Sequence, residues 1–488
     1  MAANNYRTLL MSFGAVLALS GCGNGADRVA SPGEGAFPPA PAPAPTPAPA
    51  PSPTPAPPPS GGPAEGCPSG FTDIGTVADG GLRACRLPQL ITGNLTVPRR
   101  DGTVYAISGS VNVGQDQGGD AGNPHAVPRG VLTVEPGVTV FASSGNDYLI
   151  VNRGSEIHAE GTAEAPIVFT ARQDIEGETG PDTIGLWGGL ILAGRAPINA
   201  CPGETQSGTP QCQSQVEGTN AFYGGNAPSD SSGVIRYVQV KYSGFEISPN
   251  NELQGITAAG AGSGTTLEYF QIHNSSDDGI EIFGGTLNAR YLVVTGADDD
   301  SIDTDTGWNG GIQFGIVIQR AGGGDRMNEW SSINRQPYSQ PRVANITYVG
   351  RPGGGAAIHL NQGTQASFYN SVVTRAAGGT GSGERCLEIR DANTTGTFHS
   401  VHFSCPVAFE DARAQEAFES GTNNVVGTSS LVNGFVNGPQ ERAVPAYQGL
   451  EAAHPFFRQV DYIGGVRDAS DTWWQGWTCG LTQDAPAC

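Results

Sequence analysis

The sequence predicts an all-β protein with a right-handed parallel β-helix fold, and three observations support this prediction. Glycine is frequent, with 72 residues in a chain of 488. From Cys67 onward, β-branched residues occur in short runs and helical periodicity is nearly absent; Phe409 to Glu419 is the one stretch that fits a helix. A pattern of strands also recurs along the chain, as expected of a solenoid whose core grows by repetition.

The first element is a predicted lipoprotein signal peptide over residues 1–21. A basic residue, Arg7, precedes an apolar run that ends in the lipobox Leu19-Ser20-Gly21-Cys22. The apolar run should be removed with the signal peptide, so it does not count as a membrane span. We therefore expect lipidation of Cys22, with simple cleavage and secretion as the alternative. Gly23 after the lipidated cysteine favours the outer membrane, with the domain exposed at the cell surface or released.

Residues 22–66 are predicted to form a disordered, proline-rich tether. Their Pro-Ala alternation cannot build a core, so the segment should be an extended polyproline spacer of about 3.1 Å per residue. A ligand for a partner domain is the alternative interpretation.

The β-helix is predicted over residues 67–430 and is most visible in four similar segments. These are 235–240, 267–272, 289–294 and 311–316, and the last three start 22 residues apart. Strand alternation predicts two interior stacks and an outward stack. The first interior stack contains Val238, Phe270, Leu292 and Phe314, the second contains Val240, Ile272, Val294 and Ile316, and the outward stack contains Tyr237, Tyr269 and Tyr291.

The last element is a predicted C-terminal cap over residues 431–488. Three tryptophans, Trp473, Trp474 and Trp477, are expected to cover the open edge of the last coil, which otherwise favours edge-to-edge association.

These repeats resemble a widespread family of bacterial exported and outer-membrane lipoproteins. The resemblance also rests on Trp187-Gly188-Gly189-Leu190-Ile191-Leu192, on Val460 to Gly464 and on Trp473 to Thr478. It runs from about Cys67 to Cys488. It implies a parallel β-helix and a location outside the cytoplasm, but no particular activity, because activity in that family is generally unassigned.

The cysteines other than Cys22 indicate structural disulfides. Eight remain, and they fall as close neighbours, which predicts four local bridges in an exported chain, although other pairings stay open. The predicted pairs are Cys67 with Cys85, Cys201 with Cys212, Cys386 with Cys405, and Cys479 with Cys488.

The charge balance argues against a nucleic-acid partner. The formal net charge is −21 and Lys241 is the single lysine, so the basic surface of a nucleic-acid binder is missing. An acidic surface attracts cations instead.

An acidic segment gives the strongest chemical signal. Asp277-Asp278-Gly279-Ile280-Glu281 recurs 22 residues later as Asp299-Asp300-Ser301-Ile302-Asp303. The six acids should stack in pairs one coil apart, where like charges repel and pKa values rise. Three interpretations remain open: a Ca²⁺ site, since Ca²⁺ takes six to eight oxygen ligands, ordinary hydrogen-bonded turns, or catalytic carboxylates.

Further candidate residues belong to the same predicted surface. One apolar column, with Ile256, Ile280, Ile358 and Leu387, is followed by a polar column that could line a groove: Thr257, Glu281, Asp303, His359 and Glu388. His359 is either a surface histidine or a proton-transfer group. The outward Tyr237, Tyr269 and Tyr291 either present ring faces to a sugar or only stabilise the sheet.

Two functions follow from these observations. The preferred hypothesis is a non-enzymatic surface or released lipoprotein that binds a ligand, a glycan or a partner protein, either in nutrient acquisition or as an accessory that assists another exported protein. The alternative is a polysaccharide hydrolase or lyase that uses the acidic ladder. Asp277-Asp278-Gly279-Ile280 faintly resembles the paired-aspartate stretch of polygalacturonases, but no Gly-His-Gly stretch accompanies it.

Overall fold

The computed structural model describes residues 61–248, 251–376, 384–481 and 488. The predicted signal peptide, Cys22 and nearly all of the predicted tether lie outside these ranges. In the described part, no helix is long and apolar enough to cross a bilayer. Ala64 already contacts the first coil, because its N–H donates to the carbonyl of Gly102 at 3.1 Å. Contacts with the β-helix therefore begin slightly before Cys67.

Short strands dominate the described chain. The first eleven are β1 (Thr72–Val77), β2 (Leu82–Arg86), β3 (Leu90–Ile91), β4 (Gly93–Val97), β5 (Thr103–Ile107), β6 (Ser110–Val113), β7 (Gly130–Val134), β8 (Thr139–Ala142), β9 (Tyr148–Val151), β10 (Glu156–Glu160) and β11 (Ile167–Ala171). A one-turn helix, α1 (Arg172–Ile175), follows.

The central strands are β12 (Leu190–Ala193), β13 (Ser214–Gln215), β14 (Phe222–Tyr223), β15 (Gly233–Lys241), β16 (Glu246–Ser248), β17 (Asn251–Glu252), β18 (Ile256–Ala259), β19 (Thr266–His273), β20 (Ile280–Phe283), β21 (Asn288–Thr295), β22 (Ile302–Asp305) and β23 (Gly311–Ile318).

The remaining elements are β24 (Asn328–Trp330), β25 (Arg342–Gly350), β26 (Ile358–Leu360), β27 (Gln365–Tyr369), β28 (Val372–Arg375), β29 (Arg385–Ile389), β30 (Thr395–His399), β31 (His402–Ser404), β32 (Val407–Phe409), α2 (Ala412–Glu419), β33 (Val425–Val426), α3 (Pro439–Arg442) and α4 (Leu450–Ala453).

Two large sheets build the coils. Sheet A has 18 strands and sheet B has 11, with the order β3-β6-β9-β12-β18-β20-β22-β24-β26-β29-β32. Every pairing between neighbours in sheet B is parallel, and each partner comes from the next coil. The predicted parallel β-helix is therefore confirmed.

Sheet A bends at one residue of each long strand. The first half of β15 pairs with β10 and the second half pairs with β11, so one strand serves two faces of the coil. Tyr237 lies between these halves with φ of 50°, and Tyr269 and Tyr291 occupy the same corner with φ of 53° and 58°. A left-handed conformation is unusual for tyrosine. It is supported here by ring stacking between successive coils.

The interior stacks are confirmed for three of the four repeated segments. Val238 pairs with Phe270, and Phe270 with Leu292, and all three are fully buried. The fourth segment is shifted by one residue, because Leu292 pairs with Gly315 and not with Phe314.

The prediction that Phe314 and Ile316 are interior was therefore wrong. This coil contains one more residue, so Phe314 takes the corner position with φ of 64° and stacks on the Tyr291 ring at 5.0 Å. Ile316 pairs with Val293 on the outer side, where residues near the C-terminus cover both.

All four predicted disulfides are present: Cys67–Cys85, Cys201–Cys212, Cys386–Cys405 and Cys479–Cys488. Each joins residues that are near in sequence, with separations between 9 and 19. The bridges therefore fasten single loops and do not link distant coils.

Removal of one bridge should weaken the fold without abolishing it. In the chain-entropy model, closing a loop of about 15 residues stabilises by about 3 kcal/mol. The Cys386→Ser/Cys405→Ser variant, which opens a 19-residue separation, should lose a similar amount in urea denaturation followed by circular dichroism. Complete unfolding of this variant, or unchanged stability, would contradict the local role of the bridge.

Helix α2, which falls in the one stretch predicted as helical, closes the end of the coil interior. Its Phe418 is buried and stacks on Phe403 at 4.3 Å, with Phe398 at 5.8 Å. Asp411 caps the helix by accepting a hydrogen bond from the N–H of Ala414 at 2.9 Å. The last coil is thus closed by α2 and not by the three tryptophans.

The described part of the C-terminal segment, residues 431–481, runs back along the outer side of sheet A. Trp477 is fully buried and meets the rings of Tyr237 and Tyr269 edge-on. Buried glutamines of the coils bind its backbone: Gln239 donates to the Trp477 carbonyl at 2.6 Å and Gln271 to the Cys479 carbonyl at 2.8 Å. The tryptophans therefore cover the side of the central coils, several coils away from the edge that they were expected to cover.

Candidate functional site

The predicted polar column lies on the outer face of sheet B. In register order, the column contains Thr257, Glu281, Asp303, Glu329, His359 and Glu388. Each residue follows an inward-facing residue of its strand, so alternation places its side chain on the outside. The predicted groove residues share one face, as expected, and Glu329 adds a member that sequence reasoning missed.

Aspartates in the turns before these strands add to the column. Asp277 and Asp278 precede β20, Asp299 and Asp300 precede β22, and Asp325 precedes β24. Carboxylate oxygens come within 4.8 Å of one another in three groups: Asp277 with Asp278 and Asp299, Asp278 with Glu281 and Asp303, and Asp299 with Asp300 and Asp325. The structure thus brings together all six acids predicted as metal ligands.

The group of Asp278, Glu281 and Asp303 is called here the carboxylate triad. Few hydrogen bonds from the described residues offset its negative charge. Asp278 and Glu281 are 6% and 7% exposed. Asp278 accepts one hydrogen bond from the N–H of Asp300, at 2.9 Å. Among the described residues, no hydrogen bond or ion pair reaches the Glu281 carboxylate. Buried carboxylates without partners are costly, so the triad requires protons or a cation.

The pKa values in the triad reflect this environment. Burial raises the pKa of all three carboxyl groups well above the ordinary range, and neighbouring carboxylates raise it further. Asp277 beside the triad follows the same rule: burial and the charge of Asp299 raise its pKa to about 7.

The group of Asp299, Asp300 and Asp325 differs because Arg326 forms ion pairs beside it, although burial and neighbouring carboxylates still raise the pKa values of Asp299 and Asp300. The Arg326 guanidinium lies 2.5 Å from Asp325 and 2.6 Å from Glu329. The backbone N–H of Arg326 also donates to Asp300 at 2.7 Å. Hydrogen-bonded turns, one of the interpretations left open above, therefore apply to Asp278 and Asp300, whereas the Glu281 carboxylate accepts no hydrogen bond from the described residues.

The segment inserted between β12 and β15 forms one side of the acidic site. Its Tyr223 is 3% exposed, and its ring centroid lies 5.9 Å from that of Phe283. The insertion also brings Glu217 near enough to Glu281 to raise the pKa of that carboxyl group. The Cys201–Cys212 bridge fastens this wall.

A comparison of the sequence with known protein families supports the β-helix architecture. Residues 122–478 match the family model described as the pectate-lyase like beta helix domain. The chain belongs to this family. No match was found among curated proteins.

In this pectate-lyase like β-helix, the tyrosines of the corner are not part of the acidic face. Ring centroids lie 4.5 Å apart for Tyr237 and Tyr269 and 4.2 Å apart for Tyr269 and Tyr291, with nearly parallel planes. Their faces are therefore stacked on one another, and Trp477 meets their edges. This packing supports the structural interpretation and leaves no face of Tyr269 for a sugar ring.

His359 occupies the acidic column but not the triad. It is 8% exposed, and its Nδ1 lies 3.6 Å from Glu388 while its Nε2 lies 3.1 Å from the amide nitrogen of Asn361. Burial lowers its pKa from the ordinary value. The contacts of His359 with Glu388 and Asn361 suit a structural role in the pectate-lyase like coil, and its predicted role in ligand binding stays a prediction.

Three members of the site escaped sequence reasoning. Glu329 follows Asn328 and not an apolar residue, so the apolar repeat that marks the other coils is interrupted there. Arg326 precedes the strand of that same coil. Glu217 comes from the insertion, where the neighbouring cysteines are the only signal in the sequence.

Proposed function

We propose that this chain is an exported lipoprotein that binds a polysaccharide without cleaving it, and that a Ca²⁺ ion held by the carboxylate triad is the centre of its binding site. The observation that supports this proposal is the Glu281 carboxylate, which is nine-tenths buried and has no hydrogen-bond or ion-pair partner among the described residues, beside two further carboxylates. Bound Ca²⁺ would neutralise the repulsion and supply a positive point on an otherwise acidic surface.

The donor set suits a hard cation. The triad offers carboxylate oxygens only, and Asp277 and Glu217 stand nearby with further carboxylates. Ca²⁺ takes oxygen ligands in flexible geometry, whereas transition metals prefer imidazole or thiolate ligands, and these are absent from the three carboxylate groups. Residues Asp278, Glu281 and Asp303 would hold the ion, and the ion would supply charge neutralisation.

The ligand class follows from the fold family and the charge. Membership in the pectate-lyase like family makes a polysaccharide the class of ligand to test first. A net charge of −21 repels anionic chains. A Ca²⁺ ion in the triad would offset most of the local negative charge and could accept a carboxylate oxygen of the polysaccharide as a further ligand, so an acidic polysaccharide should bind only when the site holds Ca²⁺.

The location rests on the N-terminal sequence. The signal peptide, the lipobox at Cys22 and the proline-rich segment support an outer-membrane anchor with the β-helix displayed outside or released. A Cys22→Ser variant should lose detergent-phase partitioning. Unchanged partitioning would remove the anchor from the proposal.

Calcium titration of the detergent-solubilised full chain tests the central claim. At a free ion concentration of 100 times Kd, binding stabilises the folded state by about 2.7 kcal/mol, so the Tm should rise by a few degrees. Glu281→Gln should abolish both the heat of binding and the Tm rise. Glu388→Gln, a matched change in the same column but three coils beyond Asp303 and paired with Arg390, should retain both. Absence of Ca²⁺ binding in the unmodified chain would refute the proposed function.

One observation favours hydrolysis as a second candidate. A carboxyl group with a pKa of about 7, as at Asp277, is partly protonated near neutral pH and could donate a proton. If the chain cleaves a polysaccharide, Asp277→Asn should abolish the release of new reducing ends while Ca²⁺ binding persists. No release from acidic or neutral polysaccharides by the unmodified chain would exclude this candidate.

A further inference from the structure

An open polar pocket of about 480 Å³ lies beside the acidic site and has no role in the function proposed above. The pocket lies over the start of β9, and its sides are formed by the insertion between β12 and β15 and by β17. Its polar and aromatic lining includes Tyr148, Gln215, Glu217, Thr219, Asn220 and Asn251. The volume falls in the range of small-molecule pockets, which is about 300–1,000 Å³.

The pocket is held in a fixed form by its own hydrogen bonds. The N–H of Gly218 donates to the Asn251 side chain at 2.7 Å, and the N–H of Val216 donates to the Ala221 carbonyl at 2.8 Å. β13 and β14 pair across the loop, and the Cys201–Cys212 bridge fastens its base. A preformed pocket loses little conformational entropy on binding, which favours affinity.

The lining chemistry matches a neutral, hydroxyl-rich ligand. Amide and hydroxyl groups both donate and accept hydrogen bonds, as sugar hydroxyls do. Gln215 and Asn220 are exposed; the Gln215 amide donates to the Thr219 carbonyl and, at 3.5 Å, to the Asn220 side-chain oxygen, so the Asn220 amide group and the Gln215 side-chain oxygen face the ligand space with hydrogen-bonding capacity left. The lining holds a single ionisable carboxylate, Glu217, and neither lysine nor arginine. An anionic group would therefore be repelled there.

The pocket is close to the carboxylate triad. Glu217 lines the pocket and also acts electrostatically on Asp277 and Glu281. In sheet B, β9 and β20 are three coil spacings apart, which is roughly 14 Å at about 4.8 Å per coil. One extended ligand can therefore contact both places.

We propose that this pocket is a subsite for a neutral sugar unit of the polysaccharide whose charged part binds at the triad. The inference rests on the proposed function for the identity of the ligand as a polysaccharide, but the pocket itself does not require Ca²⁺. Binding of a neutral sugar should therefore persist in the presence of a chelator.

Calorimetry on the detergent-solubilised full chain tests the subsite. The probes are neutral trisaccharides of glucose, mannose, galactose and xylose, each with Ca²⁺ and with EDTA. At least one should bind, equally in both conditions. Asn220→Ala removes a donor and an acceptor, and Asn220→Trp fills the space, so each should weaken that binding at least tenfold. Asn220 is exposed, so both variants should keep the parent Tm.

Two matched variants separate the possible outcomes. Gln115→Ala alters a second amide-lined groove on the N-terminal coils and should leave the affinity unchanged. Glu388→Gln, a carboxylate change on sheet B away from the triad and the pocket, should also leave neutral-sugar binding unchanged. If no neutral probe binds, or if Gln115→Ala is as harmful as Asn220→Ala, the subsite is refuted even when Ca²⁺ binds. If Asn220→Ala abolishes sugar binding but Ca²⁺ does not bind, the subsite stands and the proposed cation centre fails.

Discussion

Phe270→Asp is expected to leave no soluble folded protein. Phe270 is fully buried between Val238 and Leu292 in the interior stack. Loss of a buried phenylalanine side chain costs about 3–5 kcal/mol, and an unpaired buried charge adds several more. Their sum is comparable with the whole stability of a typical domain, which is about 5–15 kcal/mol. The measurement is the soluble yield, followed by far-ultraviolet circular dichroism.

Two other substitutions by aspartate provide the comparison for Phe270→Asp. Val407 on β32 is 50% exposed, so Val407→Asp should change stability by less than about 0.5 kcal/mol. Tyr269→Asp should fall between the two, because Tyr269 lies outside the core but is stacked between two tyrosines. Folded and soluble Phe270→Asp protein would show that the interior stack is assigned to the wrong residues.

Cation-free protein is expected to lose stability as the pH rises from about 4 to about 7. A carboxyl group whose pKa is higher in the folded than in the unfolded state binds more protons in the folded state between the two values. Stability therefore falls as pH rises through that window. For Asp277 the window extends from 3.8 to about 7. Each pKa unit corresponds to about 1.4 kcal/mol, so several such groups should lower the Tm substantially.

Ca²⁺ should reverse this trend, because it binds the ionised carboxylates and not the protonated ones. Thermal unfolding at a series of pH values, with EDTA and with Ca²⁺, measures both curves. Glu281→Gln should show a smaller loss of Tm with rising pH in EDTA than the parent, since it removes one carboxyl group whose pKa is raised on folding. A Tm that rises between pH 4 and pH 7 in EDTA would contradict the buried, uncompensated triad.

The strand repeat was predictable because its contacts join equivalent residues of successive coils at a nearly fixed spacing in the sequence. A buried residue in one coil stacks on its equivalent in the next, so apolar spacing in the sequence reports the contact directly, as for Phe270 and Leu292. One additional residue before Gly315 made the same spacing give the wrong position for Phe314. Side-chain alternation has a period of two, so a shift of one residue exchanges the interior and the exterior.

The part of the acidic site that follows the coil repeat was also predictable. Asp278, Glu281 and Asp303 lie in adjacent coils, where a fixed spacing brings them together. Glu217, by contrast, reaches them through an insertion, and no periodicity encodes where an insertion folds. Sequence spacing also could not distinguish Asp300, whose oxygen accepts a backbone hydrogen bond, from Glu281, which has none.

The C-terminal segment has a consequence for how this protein unfolds. In a simple solenoid each repeat contacts only its neighbours, so terminal repeats can fray one at a time. Here one stretch of chain binds coils as far apart as those of Gln239 and Asn345, through the carbonyls of Trp477 and Tyr462. The intervening coils cannot separate without releasing it. Unfolding of these coils should therefore be a single cooperative transition, and their amide protons should exchange at similar rates along the axis.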